Sequence, residues 1–258
     1  MRRQTALWTV VTLFVGAAVL LGVMVALGAL DVHVLSHSRI GSEDRTIDNN
    51  FVHHRDAFWN SVTKVLTYGA ETLPVIVASV VLCVIAAVVF RRWHEPVFVA
   101  STLIGEVTVF VLTTLLIHRA RPTVPQLDHA PPTSSFPSGH TAAATCLYGA
   151  IAVLVVAYGA RRGWRILAIA IAVLVPVAVA LSRIYRGMHY PTDVLGGLIL
   201  GVSWLFFTSR VLLTTLVKGV TTSAAASGSS GHVRAPVSRR SRLTVAHTSA
   251  STVAPPQH

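Results

Sequence analysis

Six apolar runs, each close to the length that spans a bilayer as a helix, limit this chain more than any other feature it has. They cover residues 6–30, 73–90, 96–117, 141–159, 166–181 and 194–216, the fifth being the shortest. A segment inside hydrocarbon must satisfy every backbone N–H and C=O from within, which a helix does by itself. Only 12% of the residues are charged and 53% are hydrophobic, outside the range of soluble globular domains. The expectation is an all-α polytopic membrane protein, a six-transmembrane-helix bundle. The first run follows Arg2 and Arg3 and exceeds the 7–15 residue core of a signal peptide, so it reads as a retained anchor.

Orientation follows from the basic residues of the short loops. Arg2 and Arg3, Arg91 and Arg92, Arg161, Arg162 and Arg165, and Lys218 all fall on one side of the six runs. That side is expected to be the cytoplasm, with both termini inside and segments 31–72, 118–140 and 182–193 outside the plasma membrane. Arg119, Arg121, Arg183 and Arg186 break the rule, since all four lie on the outer side. They need another task.

The net charge of +11 is accounted for by loops and tail, so membrane topology explains it without nucleic acid. Cys83 and Cys146 lie within apolar runs, as small hydrophobes. Residues 1–217 read as the membrane domain, and 218–258, rich in Ser, Ala, Thr, Pro and Arg, as a disordered basic cytoplasmic tail. Phe51, Phe58, Trp59, Val62, Val65 and Leu66 fit one amphipathic helix over 51–68, lying in the outer interface as a packing element or as a wall beside the path of the lipid. His53 and His54 lack a partner at ligand spacing, and no metal site is expected. Glu106 falls within the third run, where an ionisable group is a functional or a hydrogen-bonded packing residue.

Three outer stretches carry the chemistry. In "SSFPSGHTAAA", Ser138 is placed to cap the fourth helix, Gly139 lets the backbone approach a ligand, and His140 sits in the first turn, beside any anion bound at the helix N-terminus. In "SRIYRGMHYPTD", Pro191 suits the first turn of the sixth helix, and the four-residue spacing sets the Asp193 carboxylate beside the His189 imidazole. A histidine whose tautomer is fixed by a carboxylate is a competent nucleophile. In "HRARPTVP", Arg121 and Pro122 mark a helix exit, with a guanidinium suited to phosphate oxygens.

Order, spacing and sidedness together resemble the type 2 phosphatidic acid phosphatase superfamily, whose signature runs Lys-x6-Arg-Pro, Pro-Ser-Gly-His and Ser-Arg-x5-His-x3-Asp. The second block is Pro137, Ser138, Gly139 and His140; the third is Ser182, Arg183, His189 and Asp193. The first block departs from the pattern, with Thr114 at the lysine position. Placed nearly two helical turns before Arg121, Thr114 would share its face and offer a hydroxyl instead of a charge, leaving His118 or Arg119 to compensate.

The resemblance implies that His189 attacks phosphorus, Asp193 orients it, and Arg121, Arg183, Ser138 and the Gly139 amide hold the phosphoryl oxygens. His140 protonates the leaving alkoxide, and no metal or other cofactor takes part. The substrate it implies is a lipid phosphate or diphosphate: a polyprenyl diphosphate, phosphatidic acid or phosphatidylglycerol phosphate. The alternative, suggested by the missing lysine, is a non-catalytic lipid- or phosphate-binding membrane protein.

Overall fold

The computed structural model describes residues 2–130 and 132–229, and all of the regular structure among them is helical. Helix α1 (Arg2–His33) leads through a 3-10 turn (Leu35–His37) into α2 (Arg39–His53) and α3 (Ala57–Tyr68). There follow α4 (Thr72–Phe90), α5 (His94–Leu116), α6 (Gly139–Ala157), α7 (Arg162–Tyr185) and α8 (Pro191–Ser229). Six of these helices, α1 and α4 to α8, are long and apolar enough to cross a membrane. The membrane unit ends at Gly219. Most of the segment read as a disordered tail, residues 230–258, lies outside the described residues.

Helix α6 is the centre of the bundle: 56% of its apolar window is buried, against 6% for α4. Its small residues explain this position, because Ala142, Ala144, Gly149 and Ala150 let neighbouring backbones come close, where dispersion contacts hold membrane helices together. Helices α5 and α7 flank it, and α4 packs on α5. Val77, Val80, Val84 and Val88 of α4 are exposed, as side chains facing lipid are. Glycines set the closest approaches: Trp204 lies against Gly105, Leu205 against Gly149, and Thr145 of α6 against Gly201 of α8. Phe98, Val99, Leu103, Leu147, Leu154 and Trp204 fill the space between.

Two expectations are corrected. The single amphipathic helix over 51–68 is instead two helices, with an earlier start at Arg39. Arg55 leaves the helical path to donate to the Tyr185 carbonyl (2.9 and 2.7 Å) and the Pro125 carbonyl (2.6 Å). Asp56 then caps α3 by accepting from the Trp59 amide at 2.8 Å. The fifth span is longer than residues 166–181, reaching from Arg162 to Tyr185 with Pro176 inside it. Its end continues past Leu181 because the polar residues there have partners: Ser182 shares a hydrogen bond with Thr67 at 2.7 Å, and Arg183 donates to Asp128 at 3.0 Å.

Candidate active site

The loop before α6, the first turn of α6 and the turn between α7 and α8 meet at one end of the bundle, tied by their backbones. The Ser135 amide donates to the Arg119 carbonyl, the Ser138 amide to the Asp193 carbonyl (both 2.9 Å), and the Leu127 amide to the Arg186 carbonyl (3.0 Å). The chain reverses after α7 at Gly187, whose φ of +72° suits a residue without Cβ. The Met188 amide reaches back to the Arg183 carbonyl at 3.0 Å, and His189 follows at the mouth of α8.

His189 is buried, and its Nδ1 lies 2.8 Å from the Ser135 carbonyl oxygen. A carbonyl only accepts, so Nδ1 carries the proton and Nε2 the lone pair. Asp193 Oδ2 stands farther from the same nitrogen, at 3.8 Å. The Asp193 carboxylate thus lies beside the ring as an i,i+4 partner, while the shorter contact of Nδ1 is with the Ser135 carbonyl. Burial, followed by the charges of Arg183 and Arg121, holds His189 below the usual imidazole value, against the opposing pull of Asp193.

Asp193 is fully buried and saturated. Its Oδ2 accepts from the Ser135 hydroxyl and, at 2.8 Å, from the Tyr190 amide, while Oδ1 accepts from Arg119. Within electrostatic reach of His189 lie Arg121, Arg183 and His140. Arg121 donates to the Met188 carbonyl at 2.8 Å. The Nε atoms of Arg121 and Arg183 are both buried without a hydrogen-bond partner, an uncommon arrangement that an anion would complete. His140, half-buried, lies within electrostatic reach of Arg183, His189, Asp128 and Arg121.

Gly139 and Ser138 are where the sequence placed them, with one difference. Ser138 occupies the N-cap position of α6, yet its hydroxyl pairs with the Thr141 hydroxyl at 3.0 Å instead of capping an amide. At Gly139 a Cβ would lie 2.7 Å from the Phe110 ring, so a larger residue there would push that ring aside. Thr114 does not share a helical face with Arg121, because α5 ends at Leu116 and residues 117–121 are irregular. Its hydroxyl donates to its own helix at the Val111 carbonyl, 2.8 Å away. Glu106 is buried in the middle of α5, away from these residues in sequence and span.

Sequence reasoning missed several neighbours. Asp128 accepts from Arg183 and from Arg186, with Arg186 Nε at 2.7 Å. Burial pushes its carboxyl up, but the Arg186 hydrogen bond and charge, with Arg183 and His140, outweigh it and hold Asp128 below the usual carboxylate value. Arg119 is enclosed by Asp31, Asp44 and Asp193. The signal for Arg119 and Arg186 was present: basic residues on the wrong side for a membrane loop. No comparable signal marked the aspartates. Among the described residues, no three His, Cys, Asp or Glu side chains gather to hold a metal ion.

Asp48 of α2 is 1% exposed, and neither carboxylate oxygen has a hydrogen-bond partner. Burial first, then the charges of Asp44 and Asp193, push its carboxyl up to about 8. A raised carboxyl value means that the stabilising preference for the protonated fold is complete below about pH 4 and is lost as pH climbs through about 8. Asp48→Asn should therefore raise the melting temperature in detergent, and by more at pH 8 than at pH 5. An equal change at both values would mean that Asp48 ionises as readily folded as unfolded.

Comparison with known proteins follows the same arrangement. The PAP2 superfamily model matches residues 75–216, which contain all three signature stretches. A phosphatidylglycerophosphatase B of Bacillus subtilis (strain 168) is 39% identical over 104 residues, 40% of this chain and 46% of that protein. An undecaprenyl-diphosphatase of Sulfolobus acidocaldarius is 36% identical over 119 residues, 46% of this chain and 52% of that protein. The chain thus spans about half the length of the curated relatives it matches. The crystal structure of a transmembrane PAP2-type phosphatidylglycerolphosphate phosphatase from Bacillus subtilis superposes with a TM-score of 0.65 at 25% identity, covering 75% of this chain and 94% of that one. With more than half of its residues inside the family match, and its helices arranged as in a transmembrane member, the chain belongs to the PAP2 superfamily.

Proposed function

We propose that the protein is a membrane phosphatase that removes phosphate from a lipid phosphate or diphosphate, either phosphatidylglycerol phosphate or a polyprenyl diphosphate, through a phosphohistidine. One observation carries this reading. His189 has its Nδ1 proton committed to the Ser135 carbonyl at 2.8 Å, which leaves the Nε2 lone pair as the nucleophile, and two buried arginines offer Nε donors with no partner of their own. Simple phosphate binding requires no such histidine.

In the proposed reaction Nε2 attacks the terminal phosphorus, a P–N bond forms and the P–O bond to the leaving group breaks, releasing the lipid alcohol from a monophosphate or the lipid monophosphate from a diphosphate. The leaving oxygen takes a proton from His140. Arg121, Arg183, Ser138 and the Gly139 amide hold the three equatorial oxygens, where charge is spread in the transition state. Asp193, facing the ring, stabilises the imidazolium formed when Nε2 is phosphorylated. Water then attacks the phosphohistidine, His140 takes its proton, and the P–N bond breaks to release phosphate. The cationic groups needed for charge stabilisation are all side chains, so the reaction is expected to run without a metal. The loop arginines and lysine distribute as for cytoplasmic termini and a site at the outer leaflet of the plasma membrane.

The test is phosphate release by the purified protein in detergent, with chelator present, from phosphatidylglycerol phosphate, phosphatidic acid and a polyprenyl diphosphate. Release from at least one, undiminished by chelator, is expected. A folded protein that binds phosphate but releases none from any of them would return the non-catalytic reading, with Thr114 as its cause.

A further inference from the structure

Arg119 holds more acid than charge balance requires. Its guanidinium meets Asp31 of α1 at 2.6 Å, Asp44 of α2 at 3.1 Å, and Asp193 of α8, all four side chains being almost fully buried. It also donates to the Thr192 hydroxyl at 2.8 Å and lies 4.5 Å from the centre of the Tyr190 ring. One carboxylate would neutralise one guanidinium. Three buried carboxylates around it, with Asp48 nearby, carry a desolvation cost that folding alone gives no reason to retain.

The geometry gives a reason. Nη1 donates to Asp193 and to the Thr192 hydroxyl, Nη2 donates to Asp44, and Asp31 faces Nη1 at 2.6 Å as an ion pair without a hydrogen bond, so the planar fork is fixed from more than one side where it meets Asp193. With Oδ1 of Asp193 held by that fork, Oδ2 is left to the Ser135 hydroxyl and the Tyr190 amide and faces His189 at 3.8 Å. Ser135 in turn supplies the carbonyl that holds the His189 ring. The two carboxylates that fix Arg119 come from helices α1 and α2, both of which precede the residues matched by the family, 75–216.

Resting on the phosphatase reading, we infer that Arg119 is a positioning residue: held by Asp31 and Asp44, it orients Asp193 and, through Asp193 and Ser135, the His189 nucleophile. The N-terminal helices are thereby part of the catalytic framework. The side-chain partners of Arg119 are Asp31, Asp44, Asp193, Thr192 and Tyr190, none of them a residue proposed to hold phosphate, so its loss should lower turnover and leave phosphate affinity alone.

Removing Arg119 by itself would strand buried carboxylates and endanger folding. The test therefore uses the triple variant Arg119→Met, Asp31→Asn, Asp44→Asn, which removes the guanidinium together with the two carboxylates of α1 and α2 and keeps Asp193, beside wild type. In the folded triple variant kcat should fall at least about 30-fold, with KM and inhibition by inorganic phosphate within about twofold of wild type. A merely structural role would weaken phosphate inhibition along with turnover, and a kcat within about threefold of wild type would overturn the inference. If the triple variant does not fold, Arg119→Lys decides: it keeps the charge and loses the fork, so kcat should fall at least about tenfold at unchanged phosphate inhibition, and the inference fails if it falls less than threefold. Wild type that releases no phosphate would sink the phosphatase reading and this inference together. Wild type that turns over beside fully active variants would sink this inference alone.

Discussion

His189→Ala is expected to leave phosphate release at the uncatalysed background, a loss of at least about 10⁴-fold, because the proposed reaction runs through a bond to His189 Nε2 and hydrolysis of phosphate monoesters is among the slowest reactions in water. Inorganic phosphate should still bind. Arg121 and Arg183 keep their buried Nε donors, and neither depends on the imidazole for its position. Arg121 is anchored by the Met188 carbonyl at 2.8 Å, and Arg183 by Asp128 at 3.0 Å. The wild-type pH profile should carry the same information. Protonation of Nε2 removes the lone pair, and His189 is held below the usual imidazole value by burial, so the acid limb of kcat/KM should fall below about pH 6.5. Phosphate release surviving in His189→Ala would require a different nucleophile and would end the phosphohistidine mechanism.

The second large effect comes from Gly197→Ala, a change that adds one methyl group and alters no catalytic side chain. Gly197 lies on α8 where it crosses the start of α6, and a Cβ there would run into the Ser138 carbonyl oxygen and within 3.1 Å of Thr141 Cβ. The obstacle is backbone, which cannot rotate aside, so α8 must move away from α6. Overpacking of this kind costs about 1–3 kcal/mol and should lower the melting temperature by roughly 5–10 °C. The same displacement strains the Ser138 amide to Asp193 carbonyl bond of 2.9 Å. Turnover should therefore fall about 10²-fold, as it does when a catalytic group is misplaced by an ångström. Gly22→Ala is the control, since nothing lies within 4 Å of its Cβ position; it should be neutral or slightly stabilising. Equal behaviour of the two variants would show that α6 and α8 do not depend on this approach.

The membrane architecture was legible because hydrocarbon imposes a length and a composition on every span, and both are local. Six runs were expected and six spans are found, with the largest error at α7, where a length judged from apolar residues stopped at Leu181. Ser182 and Arg183 continue that helix only because Thr67 and Asp128 wait for them from distant parts of the chain. The break at Arg55 was hidden for the same reason. Nothing local marks a residue that leaves a helix to bind the carbonyls of Tyr185 and Pro125.

At the candidate site the residue types, their order and their shared end of the bundle could be read from the chain itself. Pro-Ser-Gly-His at the start of α6 and Ser-Arg-x5-His-x3-Asp from the end of α7 into α8 are short-range patterns, and the roles proposed for them come from the family they resemble. Which carbonyl holds His189, and which cation holds Asp193, depended on the tertiary structure. The Ser135 contact joins residues 54 apart in sequence, the Arg119 contact with Asp193 residues 74 apart, and the Arg119 contact with Asp44 residues 75 apart. Hydrogen bonds and ion pairs act over about 3 Å and are blind to chain separation, so helix length and helix-end chemistry were written locally, whereas the partners of each buried charge were decided when α1, α2 and α8 packed around Arg119.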